Sequence, residues 1–123
     1  MIKNILLIGV GGGMGSIARY LCQRWFAATY ITAFPLGTFI VNIVGCFAIG
    51  IFWGMTFKNY ENNESWKLFL MTGLCGGFTT FSAFTLEGVG LLKEQKLALF
   101  FLYVGASILI GLAATYTGMK ITR

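Results

Sequence analysis

Long uncharged stretches separated by short polar segments dominate the pattern of the chain. Residues 36–57 contain no charged side chain. A helix of that length rises about 1.5 Å per residue, or about 33 Å, which is enough to cross a hydrocarbon core of about 30 Å. This segment is therefore predicted to be a transmembrane helix.

Three further segments have the same character. Residues 97–119 are uncharged, and residues 68–86 are uncharged and near the minimum spanning length. Residues 4–18 lengthen to residue 23 if the Arg19 side chain extends its charge toward the membrane surface. We therefore predict an all-α membrane protein that forms one domain, residues 1–123. Its four transmembrane helices are expected at about residues 4–24, 36–57, 67–92 and 97–120.

Aromatic residues stand near the predicted ends of these helices, as they do at membrane interfaces: Trp25, Tyr30, Tyr60 and Trp66. The N-terminal segment has a second interpretation. Lys3 followed by an apolar run and glycines also fits a secretory signal peptide. The small-xxx-small spacing of Gly9 with Gly13, and of Gly11 with Gly15, instead favours a helix that packs closely against another.

Positive charges are almost evenly divided between the two sides of the membrane. With four spans, one side carries Lys3, Lys58, Lys67, Lys120 and Arg123, and the other carries Arg19, Arg24, Lys93 and Lys96. The orientation of a membrane protein depends on which side carries more positive charges. A division of five against four gives almost no preference for either orientation. The balance predicts insertion in both orientations and hence an antiparallel homodimer, unless the near-tie is due to chance in such short loops.

Composition supports a membrane protein and argues against an enzyme. Hydrophobic residues make up 57% of the chain and charged residues 11%, whereas soluble domains have about 45–50% and about 25%. His and Asp are absent, which removes common metal ligands, general bases and most hydrolytic triads. The net charge of +5 contains no basic run, so we expect lipid rather than nucleic acid as a partner.

Polar residues inside a span are candidates for function, because an unpaired polar group in hydrocarbon costs several kcal/mol. Thr38 and Asn42 share one helix face, and Gly45 leaves that face thin enough for another chain segment to approach. The Asn42 amide offers two donors. Its alternative role is a purely structural hydrogen bond between helices.

The third span contains a run that weakens a membrane helix. Gly73, Gly76 and Gly77 precede a segment of alternating aromatic and hydroxyl residues, 78–85. We predict a helix break here, whose freed backbone groups could bind an ion. The alternative is a glycine-rich packing face with hydroxyls bonded to helix carbonyls.

Two phenylalanines of this run share a helix face with hydroxyl groups. Phe81 and Phe84 are three residues apart, and Thr80 and Ser82 interleave with them. The edge of an aromatic ring is electropositive, so ring edges with hydroxyl and amide donors can replace the water around a small anion. This face is predicted to line a path for such an ion.

A polar stripe runs along the last span, where Tyr103, Ser107, Gly111 and Thr115 recur every fourth residue. It suits a hydrogen-bonding track, or contacts between helices. The predicted uncharged spans hold no carboxylate, which argues against proton-coupled antiport and export of cationic drugs. Arg19 is either a residue whose charge extends to the surface or part of a vestibule that concentrates anions.

Three motifs in this order resemble the Fluc (CrcB) family of fluoride ion channels. They are Gly12-Gly13-Met14-Gly15-Ser16-Ile17-Ala18-Arg19-Tyr20, Gly37-Thr38-Phe39-Ile40-Val41-Asn42-Ile43-Val44-Gly45-Cys46-Phe47 and Gly73-Leu74-Cys75-Gly76-Gly77-Phe78-Thr79-Thr80-Phe81-Ser82-Ala83-Phe84. The resemblance extends over the whole chain. One departure is Ala83, which stands where many relatives have Thr.

The resemblance implies a dual-topology homodimer with two fluoride pores and a structural sodium ion at the dimer interface. By motif, Phe81 and Phe84 match the pore phenylalanines and Asn42 the pore amide. The carbonyls of Gly76 and Thr79 match the sodium ligands. Tyr103, Ser107 and Thr115 resemble the polar track, and Arg19 matches the arginine of the first motif.

The function expected from this resemblance is passive, fluoride-selective export across the cell membrane, which lowers cytoplasmic fluoride. Fluoride is compact and strongly hydrated, so a pore has to offer several donors at once. A small multidrug-exporter-like transporter is the alternative, although it needs a carboxylate in the first helix, where residues 4–18 have none. A non-transporting subunit of a larger assembly is a third possibility.

Overall fold

A computed structural model of the chain describes residues 1–56 and 64–122. The predicted helix end at Phe57, together with Lys58, Tyr60 and Arg123, lies outside the described residues. The described residues form helices and connecting turns. The first helix is Ile2–Thr29, the second is Leu36–Thr56 and the last is Leu97–Thr122.

The third span is built from several pieces. An α-helical turn, Glu64–Lys67, continues into a π-helical segment, Leu68–Cys75, and a short α-helical segment, Gly76–Phe78. The chain then becomes extended at Thr79 and Thr80 before the helix Phe81–Lys93. The predicted interruption of the third helix is confirmed, and we call Thr79–Thr80 the break.

Four helical segments in the described ranges are long and apolar enough to cross a membrane: Ile2–Thr29, Leu36–Thr56, Glu64–Lys93 and Leu97–Thr122. Large apolar side chains such as Ile17, Leu109 and Leu112 are more than half exposed, whereas Val41 and Tyr103 are fully buried. Exposed apolar side chains on spans of this length belong against lipid or another chain. The predicted four-helix membrane architecture is therefore confirmed.

Local chemistry accounts for the ends of the helices. The first helix runs past Arg24 to Thr29 and ends in a cluster of Trp25, Phe26 and Tyr30, whose ring centroids are 5.0–6.0 Å apart. Pro35 immediately precedes the second helix, where a missing N–H costs nothing, and its carbonyl accepts a bond from Phe39 N. Gln95, at φ 59°, turns the chain into the last helix.

Glycines set the closest approaches between helices. The second and last helices make the most extensive contact, and they cross where Gly50 and Gly118 face each other's backbone. The first helix packs on the first half of the third span through Gly11 and Gly15. A Cβ at Gly15 would overlap the Leu74 carbonyl oxygen, so only glycine permits this spacing.

We predict that Gly15→Ala lowers the thermal stability of the purified protein in detergent. Overpacking a closed contact costs about 1–3 kcal/mol, and here the obstacle is backbone, which cannot rotate away. Gly9→Ala, on the same helix with nothing within 4 Å of its added Cβ, is the matched control and is expected to be neutral or stabilising. Equal melting temperatures for the two variants would contradict the packing described.

Candidate ion site at the break in the third span

Asn42 holds the break from the neighbouring helix with a reciprocal pair of hydrogen bonds. Its Nδ2 donates to the Thr80 carbonyl over 3.0 Å, and its Oδ1 accepts from the Thr80 backbone N–H over 2.8 Å. One side chain thus satisfies both backbone groups of the residue at which helical bonding stops. The amide serves the backbone of the break in this structure, which is the structural role considered for it from the sequence.

The hydroxyls on either side of the break are also engaged. Thr80 Oγ1 accepts from the Ala83 backbone N–H over 3.1 Å and so caps the helix that follows. It also lies 3.3 Å from Ser82 Oγ. Thr79 Oγ1 donates to the Cys75 carbonyl over 2.9 Å. Extended backbone at this depth is tolerated because protein groups replace the lost helical bonds.

Arg19 reaches the break from the first helix. Its Nε donates to the Gly77 carbonyl over 3.0 Å, in a partly buried contact. This places the guanidinium against the last turn before the break, where helix carbonyls lack partners. From the sequence, Arg19 was interpreted either as an end residue whose charge extends to the surface or as part of an open vestibule. Neither interpretation includes the hydrogen bond to Gly77.

Beside the break lies a cavity of about 350 Å³, which we call the inner cavity. It brings together groups from three of the four spans. Its walls include the sequence-predicted residues Asn42, Gly76, Thr79, Thr80, Phe81, Phe84 and Ser107. The carbonyl-bearing residues proposed for sodium and the two rings proposed for fluoride therefore lie along one cavity.

The aromatic rings form a continuous series along this region. Phe81 and Phe84 have centroids 5.7 Å apart, and Phe84 lies 5.1 Å from Tyr103. Phe34 also contacts Tyr103, edge to face, with centroids 5.4 Å apart. Phe34 also lines a larger cavity of about 560 Å³, which we call the outer cavity. The buried Tyr103 ring thus contacts both Phe84 of the inner cavity and Phe34 of the outer cavity.

Glu87 is the functional candidate that sequence reasoning missed. The absence of a carboxylate from the membrane spans was predicted from the uncharged window 68–86, and it is wrong at this position, because the helix continues to Lys93. Thr38 Oγ1 donates to Glu87 Oε1 over 2.6 Å, and the Tyr103 hydroxyl lies 3.4 Å from Oε2, its acceptor. The sequence did contain a signal for this residue. Glu87 is three positions after Phe84, and residues three apart in a helix lie on the same face.

The polar residues along the last helix have separate roles. Tyr103 donates to Glu87, and Ser107 lines the inner cavity. Thr115 Oγ1 donates to the Cys46 carbonyl over 3.0 Å, and so ties the last helix to the second. The periodicity places these residues on one face, but neighbouring helices decide which of them borders the inner cavity.

Comparisons with known proteins identify relatives over the full length of the chain. A family model described as CrcB-like protein, Camphor Resistance (CrcB), matches residues 6–119. A protein of Flavobacterium psychrophilum named fluoride-specific ion channel FluC is 44% identical over 122 residues, which cover 99% of this chain and 98% of that protein.

Two further relatives carry the same name. The protein from Azobacteroides pseudotrichonymphae is 42% identical over 123 residues, covering 100% of this chain and 98% of its own length. The protein from Phocaeicola vulgatus is 44% identical over 118 residues, covering 96% of this chain and 97% of its own length. The similarity therefore includes the second helix and the break.

We predict that Asn42→Ala loosens the break. Removing the amide leaves both backbone groups of Thr80 without their partner, at a cost of about 1–3 kcal/mol per buried group. Hydrogen exchange of a peptide covering residues 79–84 should become about tenfold faster or more. Ser107→Ala, on the last-helix wall of the same cavity, is the control. Unchanged exchange in Asn42→Ala would show that the amide does not hold the break.

Proposed function

Because this chain belongs to the CrcB family, we propose that it is a fluoride-selective ion channel of the cell membrane that lets fluoride leave the cytoplasm passively. The single observation that carries the proposal is the break, held by Asn42 beside a cavity with two phenylalanine rings. The relatives named as fluoride-specific ion channels support the choice of ion. The chain is accordingly a multi-pass membrane protein of an ion-channel family rather than an enzyme.

The chemistry of the inner cavity suits a small anion. Phe81 and Phe84 have tilted rings, with 42° between their planes, so ring edges can face the same space. Electropositive ring edges, the Ser107 hydroxyl and the Asn42 amide would together replace part of the water shell of fluoride. Narrow spacing between these groups would exclude the larger chloride ion.

Glu87 gives the proposed path a second polar region. Its two carboxylate oxygens accept bonds from Thr38 and Tyr103, and Gln23 Nε2 in turn donates to Thr38 Oγ1 over 3.1 Å. Gln23, Thr38 and Glu87 of this network line the outer cavity, and Tyr103 links it to the Phe84 ring. We propose that it orders the outer end of the path, with Tyr103 as the shared residue.

Passive movement sets the direction of flux. A negative cell interior drives an anion outward through any open path, so export follows without an energy source. The alternative, a small multidrug-exporter-like transporter, depends on a carboxylate in the first helix. Ile2–Thr29 contains no Asp or Glu, which favours the channel.

We further propose an antiparallel homodimer with a sodium ion between the subunits. Gly76 is exposed in the single chain, and the Phe81 ring is 76% exposed beside the break. A large exposed ring beside polar backbone suits contact with a second copy better than contact with lipid. The carbonyls of Gly76 and Thr79 from two subunits would supply oxygen ligands suited to a hard cation such as sodium.

The flux prediction concerns the two rings. Liposomes that contain the purified protein, with valinomycin and potassium present, should release fluoride rapidly and retain chloride. Phe81→Ile and Phe84→Ile should each slow fluoride release by about tenfold, which corresponds to about 1.4 kcal/mol of lost stabilisation of the ion. Phe101→Ile is the matched control, because Phe101 lies on the last helix and is not among the residues that line the inner cavity.

Two outcomes of this assay would contradict the proposal. No release of either ion from folded protein would exclude a channel and favour a transporter or an assembly subunit. Equal rates of fluoride release from both ring variants and from the control would still indicate a channel. They would show that the ring edges do not contribute to fluoride passage.

The assembly prediction uses one reporter thiol. In a chain whose three cysteines are replaced by alanine, Lys120→Cys should be labelled in about half of the molecules by an impermeant maleimide applied from outside the cell. The purified dimer should melt at a lower temperature when N-methylglucamine replaces sodium. Labelling of all molecules from one side would exclude the antiparallel dimer, and a melting temperature independent of sodium would exclude the structural ion.

A further inference from the structure

Two of the three cysteines, Cys46 of the second helix and Cys75 before the break, line the inner cavity together. Both thiols are free, Cys75 is buried and Cys46 is half-buried. The third cysteine, Cys22, belongs to the first helix and is not among the residues that line this cavity. Two cysteines 29 positions apart in the sequence thus line one cavity.

Fixed contacts hold these two cysteines in place. The Cys75 carbonyl accepts from Thr79 Oγ1, and the Thr79 methyl group packs against Gly45, where a Cβ would overlap it. Gly45 precedes Cys46, whose own carbonyl accepts from Thr115. The Cys46 sulfur faces Gly111, and a Cβ there would lie 3.5 Å from it. The cysteine backbones are therefore positioned on both helices by groups other than the thiols.

The number of sulfur ligands selects the kind of metal ion. Within the described residues, no group of three or more His, Cys, Asp or Glu side chains could hold a metal. Tetrahedral zinc requires about four ligands, whereas soft thiolates select soft ions such as Cu(I). Ions of this d¹⁰ class, Cu(I) and Ag(I), accept two thiolates in linear coordination. Two thiols without a third ligand suit such an ion.

We propose that Cys46 and Cys75 form a binding site for a soft monovalent metal ion on the wall of the inner cavity, and that occupation of this site blocks anion passage. On binding, both S–H bonds break, two sulfur–metal bonds form and two protons leave to water. No electron is transferred. One monovalent cation with two thiolates carries a net charge of −1 beside Asn42 and Phe84, and this charge repels an anion. The blocking step rests on the proposed channel function, whereas the binding step does not.

The binding test uses silver ion in chloride-free buffer, with bound metal measured by elemental analysis after desalting of the folded protein. The Cys22→Ala chain should retain one tightly bound silver ion per chain. Adding Cys46→Ala or Cys75→Ala to that chain should abolish tight binding, and Cys46→Ser should do the same with a side chain of similar size. Silver binding that survives loss of either cavity thiol, or that is lost in Cys22→Ala alone, would overturn the site.

The flux test separates this inference from the channel proposal. Silver ion should stop fluoride release from liposomes that contain the Cys22→Ala chain, and excess dithiothreitol should restore it. Chains that also lack Cys46 or Cys75 should keep their own silver-free rate when silver is added. Tight binding with undiminished flux would overturn the blocking step alone. If the chain without silver releases no fluoride, the channel proposal fails while the metal measurement still decides the site.

Discussion

The structure depends on one constraint: the backbone of the third span leaves its helix inside a membrane-length segment, so its polar groups have to be satisfied by other parts of the protein. Asn42 binds both backbone groups of Thr80, and Arg19 binds the Gly77 carbonyl. The two side chains come from different helices. The break therefore connects the first, second and third spans to each other.

Close packing of backbones makes those contacts possible. Gly15 and Gly77 let the first helix lie directly against the third span, which brings Arg19 within reach of a carbonyl. Gly45 leaves room for the Thr79 side chain, and Asn42 lies one turn away on the same helix. The glycine content of the chain, 17 residues, thus has a specific use at the break. Larger residues at these positions would move the polar side chains out of hydrogen-bonding range.

The same arrangement explains how a mostly apolar bundle can present a polar cavity. Asn42, Thr80 and Ser107 reach the inner cavity from three spans, while Tyr103 contacts Phe84 of that cavity and donates to Glu87. Among the described residues, no buried side-chain nitrogen or oxygen atom lacks a hydrogen bond. The buried polar side chains are therefore tolerated at membrane depth because they have hydrogen-bond partners within the protein, and an ion in the proposed path would meet polar groups rather than lipid.

The sequence by itself determined the four membrane-length helices, the interrupted third span and the helix faces on which the Asn42, Phe81 and Phe84 side chains lie. These features follow from local hydropathy, from glycine and hydroxyl residues that weaken a helix, and from helical periodicity. Only the tertiary structure decided that Arg19 binds Gly77, that Thr115 ties two helices together and that Glu87 lies within a span beside Thr38 and Tyr103. Such contacts join residues 16–69 positions apart, and the spacing of residues along a chain contains no information about which helix packs against which.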